Sequence, residues 1–304
     1  MILKKIKFFL IIPLLFINNL LYSTSLDMEY KYNTADGMDI RLNKEKINYD
    51  MPNESGSVVN LPWRNDEIFF TTKEKYETPI LMAAYCTVLI DPLPGESYNV
   101  DLAAKKIKGL VIEPDTIFSQ NNILGPYTKE KGYQEGASYS QGRILMTTGG
   151  GVCKIATTLY NLASLSNLEI IERHNHSMPI NYVPYGQDAT VSFNSKDFKF
   201  KNTTNSNILI WAQLIDNKLY IAFYGKEKPP EITWIHEKKN IIRPPERYIK
   251  NENLKQGEEK LIIKGLEGAQ VKSTLRIKYP NGLIKYKDMG VSHYQPLPYL
   301  FEIN

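Results

Sequence analysis

Apolar residues recur at helical spacing in the segment that directly follows three successive glycines, residues 149–151. They are separated there by three or four positions, which predicts a helix with one core-facing stripe. The stripe contains Ile155, Leu159, Leu162 and Ala163, and the opposite side contains Thr157, Tyr160, Ser164 and, at its edge, Asn161. Cys153 precedes both sets, so we expect its thiol at the mouth of the helix, above the polar side.

Most other apolar runs in the middle of the chain are short, as is typical of strands. The clearest lie at 83–90, 110–112, 144–146, 189–193, 208–212 and 219–224, and one further helix is expected over 100–108. A cysteine-bearing helix followed by a series of strands predicts an α+β domain with a mostly antiparallel sheet.

The first residues have the pattern of an export signal. Three lysines precede an apolar run over 8–17 that is too short for a comfortable membrane span. Small residues at 23–25 place the expected cleavage after Ser25, so we predict a signal peptide over 1–25 and no stable membrane span afterwards. An uncleaved N-terminal anchor is the alternative. In either case we expect the folded part outside the cytoplasm, in the periplasm or the extracellular cell envelope.

Changes in composition divide the rest of the chain. Residues 26–77 form a polar lead-in with some β structure, including a strand-like run at 68–72. Residues 78–226 form the main domain, and a proline pair then marks a linker over 227–242. The remaining residues, 243–304, contain strand-like runs separated by glycines, which predicts a small all-β C-terminal domain.

Charge narrows the choice of partner. The formal net charge of +4 suits an anionic neighbourhood such as a cell-wall polymer. It is too small to indicate nucleic-acid binding, and export also argues against a nucleic-acid partner. We therefore expect peptidoglycan or another cell-wall polymer as the partner.

The glycine and cysteine segment also resembles a known family. Residues 149–163, GGGVCKIATTLYNLA, are similar to the signature of the VanW family, which is named for an accessory gene of vancomycin resistance. Further matching segments lie at 99–104, 113–119, 172–177 and 186–191, and the resemblance covers about 78–226. Lys154 stands where the family usually has glutamine, so a role for that glutamine does not carry over. The resemblance identifies the domain and leaves its chemistry open.

The C-terminal region resembles the five-glycine domain that is often appended to exported cell-wall proteins. Its glycines are Gly257, Gly265, Gly268, Gly282 and Gly290. The resemblance implies a small β module over 243–304 that adheres to wall sugars, and we expect this module to fold alone.

The sequence contains two cysteines, which an exported chain could join in a disulfide. Cys86 lies in a run that is typical of a buried strand, and the family resemblance gives it no role. We therefore expect Cys86 in the core and Cys153 as a free thiol, with a Cys86–Cys153 bridge as the alternative.

Cys153 is the candidate nucleophile, because a helix start stabilises a thiolate. A cysteine nucleophile needs a base and a group that orients the base. His176 is the candidate base, since the family pattern retains a histidine followed by serine there. Asp188 is the candidate orienting group, and the backbone amides of the glycine loop, residues 149–151, would stabilise an oxyanion.

Other assignments of the same residues stay open. On a strand, His174 and His176 would share one face, and either Cys153 or Asp188 could complete a zinc site. In a structural alternative, Arg173 and Asp188 form an ion pair and the histidines satisfy backbone groups. In a third, the helix side and its neighbours form a non-enzymatic binding groove. The candidate substrate-binding residues are Gly150, Gly151, Thr157, Tyr160, Asn161, Arg173, His174 and Tyr182.

These observations predict an exported cell-envelope protein that acts on or binds peptidoglycan. The enzymatic hypothesis is cysteine-dependent amide or acyl chemistry without a cofactor, as in a peptidoglycan hydrolase or acyltransferase. A non-enzymatic peptidoglycan-binding or structural envelope protein is the first alternative, and a zinc-dependent envelope hydrolase is the second. The sequence alone does not decide whether the protein is an enzyme.

Overall fold

The computed structural model describes residues 49–140 and 143–304, except for side chains between 139 and 144. The predicted signal peptide over 1–25, its cleavage after Ser25 and the first part of the lead-in, residues 26–48, therefore lie outside the described residues. In the part of the chain that is described, none of the helices has the length and apolar character needed to cross a membrane.

Helices and strands alternate in the first half of the described chain, as far as Leu165, and only strands follow. The helices are α1 (Glu67–Lys75), α2 (Pro94–Ile107), α3 (Gln120–Leu124) and α4 (Cys153–Leu165), with a 3-10 turn at Lys129–Lys131. The first ten strands are β1 (Gly56–Ser57), β2 (Ile80–Val88), β3 (Val111–Ile112), β4 (Ile117–Ser119), β5 (Glu135–Ser140), β6 (Arg143–Thr148), β7 (Glu169–Glu172), β8 (Lys199–Lys201), β9 (Ile208–Ile215) and β10 (Lys218–Gly225). The last six are β11 (Glu231–Ile242), β12 (Glu246–Lys250), β13 (Glu259–Ile263), β14 (Gly268–Lys278), β15 (Ile284–Tyr294) and β16 (Tyr299–Ile303).

A five-stranded antiparallel sheet organises the main domain, in the order β1-β2-β10-β9-β3. The apolar stripes of α2 and α4 cover one face, where Val100, Ile107 and Leu159 are fully buried. The segment before β2 covers the other face, where the ring of Phe69 lies 5.2 Å from that of Trp211. Because both faces are covered, the central strands are apolar on both sides. The predicted α+β class with a mostly antiparallel sheet is confirmed.

The two cysteines belong to opposite sides of this sheet. Cys86 is completely buried in the cluster around Phe69, whereas Cys153 packs against the cluster beneath α4. Both thiols are free. The prediction of a core Cys86 and an unbridged Cys153 is confirmed.

The predicted strand over 68–72 is wrong, because this run belongs to helix α1. Asp66 caps the helix: its carboxylate accepts the backbone N–H groups of Ile68 at 2.9 Å and Phe69 at 3.2 Å. An N-cap aspartate satisfies amides that a helix start leaves free. Helix α2 also begins earlier than expected, at Pro94, where a proline fits the first helical turn.

The predicted strand over 189–193 is also wrong. Two of its backbone N–H groups bond to side chains of α4: Thr157 Oγ1 accepts the N–H of Ala189 at 3.0 Å, and Cys153 Sγ accepts the N–H of Val191 at 3.5 Å. The segment therefore runs along the cysteine helix in an irregular conformation. Strand β7 precedes this segment in the chain and β8 follows it, and the two strands pair in the small antiparallel sheet β4-β8-β7.

The C-terminal region consists of two three-stranded sheets, β11-β14-β15 and β12-β16-β13. The first is antiparallel, and the second combines a parallel pair with an antiparallel one. A linker over 227–242 was expected, but most of it forms β11, because Ile232, Trp234 and His236 alternate along a strand that pairs with β14. The described residues from 49 onward belong to one compact unit. Independent folding of residues 243–304 stays a prediction.

Candidate functional site

A tight glycine turn delivers the chain into α4. Gly149 and Gly151 have φ angles of +82° and +102°, which side-chain-bearing residues rarely adopt. A Cβ on Gly150 would lie 2.2 Å from the carbonyl oxygen of Gly136. The glycines therefore serve close backbone packing, and the amides of Gly149 and Gly150 donate to backbone carbonyls of Gln134 and Thr147. The predicted oxyanion role of Gly150 is thus not supported, since its N–H is already used.

The side of α4 expected to face an open cleft is buried instead. Thr157 and Asn161 are completely buried, and Tyr160 is only 1% exposed. Thr157 Oγ1 donates to the carbonyl of Ala189 at 3.0 Å, and Asn161 Nδ2 donates to the carbonyl of Gln187 at 2.9 Å. These predicted substrate-binding residues fasten the irregular segment 187–191 onto the helix.

Cys153, His176 and Asp188 meet at the N-terminal end of α4. Nδ1 of His176 hydrogen-bonds Oδ2 of Asp188 at 2.7 Å, and the same oxygen accepts the backbone N–H of His176 at 2.7 Å. The imidazole of His176 lowers the pKa of the Cys153 thiol, which indicates that the ring lies close to the sulfur. The order Asp188–His176–Cys153 is that of an oriented base beside a nucleophile. The structure thus brings together the three predicted catalytic residues.

Asp188 has other hydrogen-bond partners besides His176. Its side chain is 1% exposed, and its Oδ1 accepts hydrogen bonds from Arg173 Nη2 at 3.0 Å and from the hydroxyl of Tyr294. Burial favours the neutral acid, but the hydrogen bond and charge of His176 and the charge of Arg173 keep the pKa of Asp188 below its usual value. The carboxylate is therefore ionised and can stabilise an imidazolium.

The thiol has two further neighbours on the irregular segment. Cys153 Sγ lies 3.4 Å from Thr190 Oγ1 and accepts the backbone N–H of Val191. Burial would raise the pKa of Cys153, but the hydrogen bond and charge of His176, with those two hydrogen bonds, lower the pKa to about 7. Burial likewise opposes charging of His176, and Asp188 and Cys153 together raise the pKa of His176 above its usual value. Both shifts favour the thiolate–imidazolium form of the pair.

Four of the neighbours that complete this site were missed by the sequence reasoning. Thr190 and Val191 were read as part of a strand, and Tyr127 and Tyr294 belong to distant parts of the chain. Ionisation of Cys153 contributes, after burial, to the raised pKa of Tyr127, which places this phenol beside the thiol. No local pattern marks Tyr294, which is 106 positions from Asp188.

His174 bonds a carboxylate instead of the thiol. It had been a candidate for substrate binding and, with His176, for a zinc site on a strand, but β7 ends at Glu172, before both histidines. His174 Nε2 hydrogen-bonds Glu172 Oε1 at 3.0 Å. Across the described ranges 49–140 and 143–304, no three His, Cys, Asp or Glu side chains are grouped as metal ligands.

Arg173 and Tyr182, also predicted to bind substrate, are used within the fold. Arg173 pairs with Asp188, as the structural alternative expected, and its guanidinium lies 4.9 Å from the ring centre of Tyr160. Tyr182 is 7% exposed, and the ammonium of Lys154 lies 4.7 Å from its ring centre. Lys154 itself forms a buried ion pair with Glu96. Lys154 is therefore fixed beside the site.

The C-terminal region closes one side of the site. Besides Tyr294, Ser292 on β15 accepts a hydrogen bond from Arg173 Nη1 at 2.8 Å. Gln187 hydrogen-bonds His236 on β11 at 3.0 Å, and His236 hydrogen-bonds Ser273 on β14 at 3.0 Å. These polar contacts connect the C-terminal region directly to the residues around Asp188.

Fold and site together define an α+β domain with a cysteine–histidine–aspartate arrangement at a helix start. The family described as VanW like protein matches residues 95–224. Over these residues the chain is similar to the VanW family, in agreement with the resemblance found in the sequence.

Two curated relatives each match part of the chain. The uncharacterized protein YoaR of Bacillus subtilis (strain 168) is 34% identical over 146 residues, covering 48% of this chain and 48% of YoaR. The vancomycin B-type resistance protein VanW of Enterococcus faecalis (strain ATCC 700802 / V583) is 30% identical over 137 residues, covering 43% of this chain and 50% of that protein. The chain thus spans about half the length of the curated relatives it matches.

Among solved structures, two G5 domains are similar to part of the chain. HP0197-G5 matches with a TM-score of 0.15 and 14% identity, covering 24% of this chain and 99% of that one. The IgA1 protease G5 domain matches with a TM-score of 0.16 and 19% identity, covering 26% of this chain and 94% of that one.

Proposed function

We propose that the protein is exported to the cell envelope and uses Cys153 as a nucleophile in amide or acyl chemistry on peptidoglycan. The observation that carries this proposal is the Asp188–His176–Cys153 arrangement. In it a buried carboxylate orients the imidazole through a 2.7 Å hydrogen bond, and the imidazole lowers the pKa of the thiol. Thiolate formation near neutral pH is what a cysteine nucleophile requires.

The reaction would proceed in two steps. The thiolate attacks the carbonyl carbon of a peptide bond, and His176 transfers its proton to the leaving nitrogen as the C–N bond breaks. This leaves a thioester on Cys153. Water or an amine then attacks the thioester carbonyl, His176 accepts the proton, and the thiolate leaves. The positive end of α4 would stabilise the oxyanion of both steps.

Wall peptides are the proposed substrate because they offer amide bonds outside the cytoplasm, where the N-terminal lysines and apolar run would direct the chain. The name of one relative, vancomycin B-type resistance protein, supports a role at the wall. The net charge of +4 suits an anionic polymer.

A non-enzymatic peptidoglycan-binding protein is the second candidate function. It is favoured by the commitment of the Gly149 and Gly150 amides to the turn, which removes two donors from the expected oxyanion site. It is also favoured by two surface clefts of about 330 and 410 Å³, neither of which is lined by Cys153. In this case the polymer would bind without turnover.

Fragment release from insoluble peptidoglycan distinguishes these functions. We expect the wild-type protein to release peptide-containing fragments, and Cys153→Ala and His176→Ala to abolish release while still sedimenting with the polymer, because a nucleophile acts only in the reaction. Cys86→Ala is the matched control, since it removes the other thiol on the opposite face of the sheet. Sedimentation without release by any variant supports the binding protein. Release that persists in Cys153→Ala but stops with a chelator supports the zinc-dependent alternative.

A further inference from the structure

The hydroxyl of Tyr294 links the C-terminal region to the candidate site through two hydrogen bonds, one accepted and one donated. Tyr294 lies at the last position of β15 and is 3% exposed. Its hydroxyl accepts the backbone N–H of Gly186 at 2.9 Å and donates to Oδ1 of Asp188. The phenol therefore uses both its donor and its acceptor capacity on the segment that carries Asp188.

The position of this hydroxyl matters because the two oxygens of Asp188 have different partners. Oδ2 bonds the backbone and the ring of His176, and Oδ1 bonds Arg173 and Tyr294. Two donors on Oδ1 prevent the carboxylate from rotating, so Oδ2 stays directed at the imidazole. Hydrogen bonds to a buried carboxylate are among the stronger ones in proteins.

The surrounding contacts fix the phenol in turn. The ring of Tyr185 meets the Tyr294 ring edge-on, with centres 5.2 Å apart. Gly186 has a φ of +87°, and a Cβ there would lie 2.2 Å from Ser273 Oγ, so this glycine permits the close approach of β14. The C-terminal sheet is therefore seated closely against residues 185–188.

We infer that Tyr294 is a positioning residue of the Cys153 site, holding Asp188 in the orientation that directs His176 toward the thiol, and that Ser292 assists by anchoring Arg173. The inference rests on the proposed function for its catalytic consequence. It assigns the C-terminal region a part in building the site, in addition to any adhesion to the wall.

The test uses the full chain and two readouts. The first is the pH dependence of Cys153 alkylation by iodoacetamide in a Cys86→Ala background. The second is the NMR signal of the His176 Nδ1 proton, which a hydrogen bond to a carboxylate moves downfield. Tyr294→Phe removes only the hydroxyl, and Tyr286→Phe on the same strand is the matched control, because Tyr286 is 65% exposed.

In Tyr294→Phe we expect the alkylation midpoint to rise by about one pH unit, since a freed carboxylate holds the imidazolium less well. The Nδ1 proton signal should move upfield, and Tyr286→Phe should match the wild type in both readouts. Ser292→Ala should shift both readouts in the same direction by less. This variant tests the inference if Tyr294→Phe fails to fold, as thermal melting would show.

An unchanged or lowered midpoint in folded Tyr294→Phe, with an unchanged proton signal, would overturn the inference and leave the proposed nucleophile standing. A wild-type thiol that alkylates near pH 8.5, like an ordinary cysteine, would instead contradict the proposed function. In that event the proton signal alone decides whether Tyr294 positions Asp188. If that signal is unshifted in both folded variants, the inference is overturned.

Discussion

Replacing Asp188 by asparagine should uncouple the thiol from its base. The amide keeps the size of the carboxylate but carries no charge, so the imidazolium of His176 loses the partner at 2.7 Å that stabilises it. The pKa of Cys153, lowered to about 7 in the wild type, should return toward the ordinary value of about 8.5. A change of about 1.5 units corresponds to roughly 2 kcal/mol of lost interaction with the thiolate–imidazolium form.

The expected change in rate is smaller than the change in thiolate content. At pH 7 the thiolate fraction would fall from about one half to about 3%, roughly sixteen-fold. A more basic thiolate is also intrinsically more nucleophilic, by about five-fold over this interval, which leaves a net decrease of roughly three-fold in alkylation rate. The pH midpoint is therefore a sharper readout than the rate at one pH.

The assay is iodoacetamide labelling of Cys153 from pH 5 to 10, followed by mass spectrometry, in a Cys86→Ala background. Glu172→Gln is the matched control. It also removes one carboxylate near the histidines, but Glu172 hydrogen-bonds His174 instead of His176. We expect a midpoint shift in Asp188→Asn and none in Glu172→Gln. Equal midpoints in the wild type and Asp188→Asn would refute the coupling of the three residues.

Two further predictions concern stability. Gly150→Ala should lower the unfolding free energy by about 1–3 kcal/mol or more, because its Cβ would lie 2.2 Å from the Gly136 carbonyl oxygen. The melting temperature should fall with it. Gly56→Ala, where no atom lies within 4 Å of the added Cβ, should melt nearly like the wild type, and equal melting of both variants would contradict the close packing of the turn. Glu172, whose pKa a hydrogen bond from Lys199 lowers to about 2, should stabilise the fold above the unfolded value of about 4.3 and lose that contribution as the pH falls toward 2. Melting curves of the wild type and Glu172→Gln should therefore differ at pH 6 and converge in acid, and a constant difference would argue against this ion pair.

The sequence was most informative where local rules decide the structure. Three glycines followed by helical spacing predicted that a helix begins at Cys153, and α4 begins there. The resemblance selected His176, and Asp188 was chosen as the acid on the strand expected after Gly186. Their contact depends on an irregular segment whose backbone bonds to Thr157 and Cys153. The alternation of apolar residues there does not distinguish such a segment from a strand.

The rest of the site depends on contacts between distant parts of the chain. The fully buried polar side of α4 was read as a cleft because the pattern reports polarity and does not report what packs against it. Tyr294 lies in a region assigned to a separate module, and only the folded structure brings its hydroxyl to Asp188. At 68–72 a local signal did exist: Asp66 is a favoured N-cap residue immediately before the run, and this signal favours a helix.

Whether Cys153 is a nucleophile is tested most directly by identifying the covalent intermediate. Full-length protein is incubated briefly with soluble peptidoglycan fragments, quenched in acid and analysed by mass spectrometry of the intact chain and its peptides. If Cys153 is the nucleophile, the wild-type chain gains a mass equal to that of a wall peptide, confined to the peptide containing Cys153. Hydroxylamine should remove this mass, as it does from a thioester, and Cys153→Ala should not acquire it. Fragment release that proceeds equally in Cys153→Ala, with no adduct on the wild-type thiol, would contradict this role of Cys153.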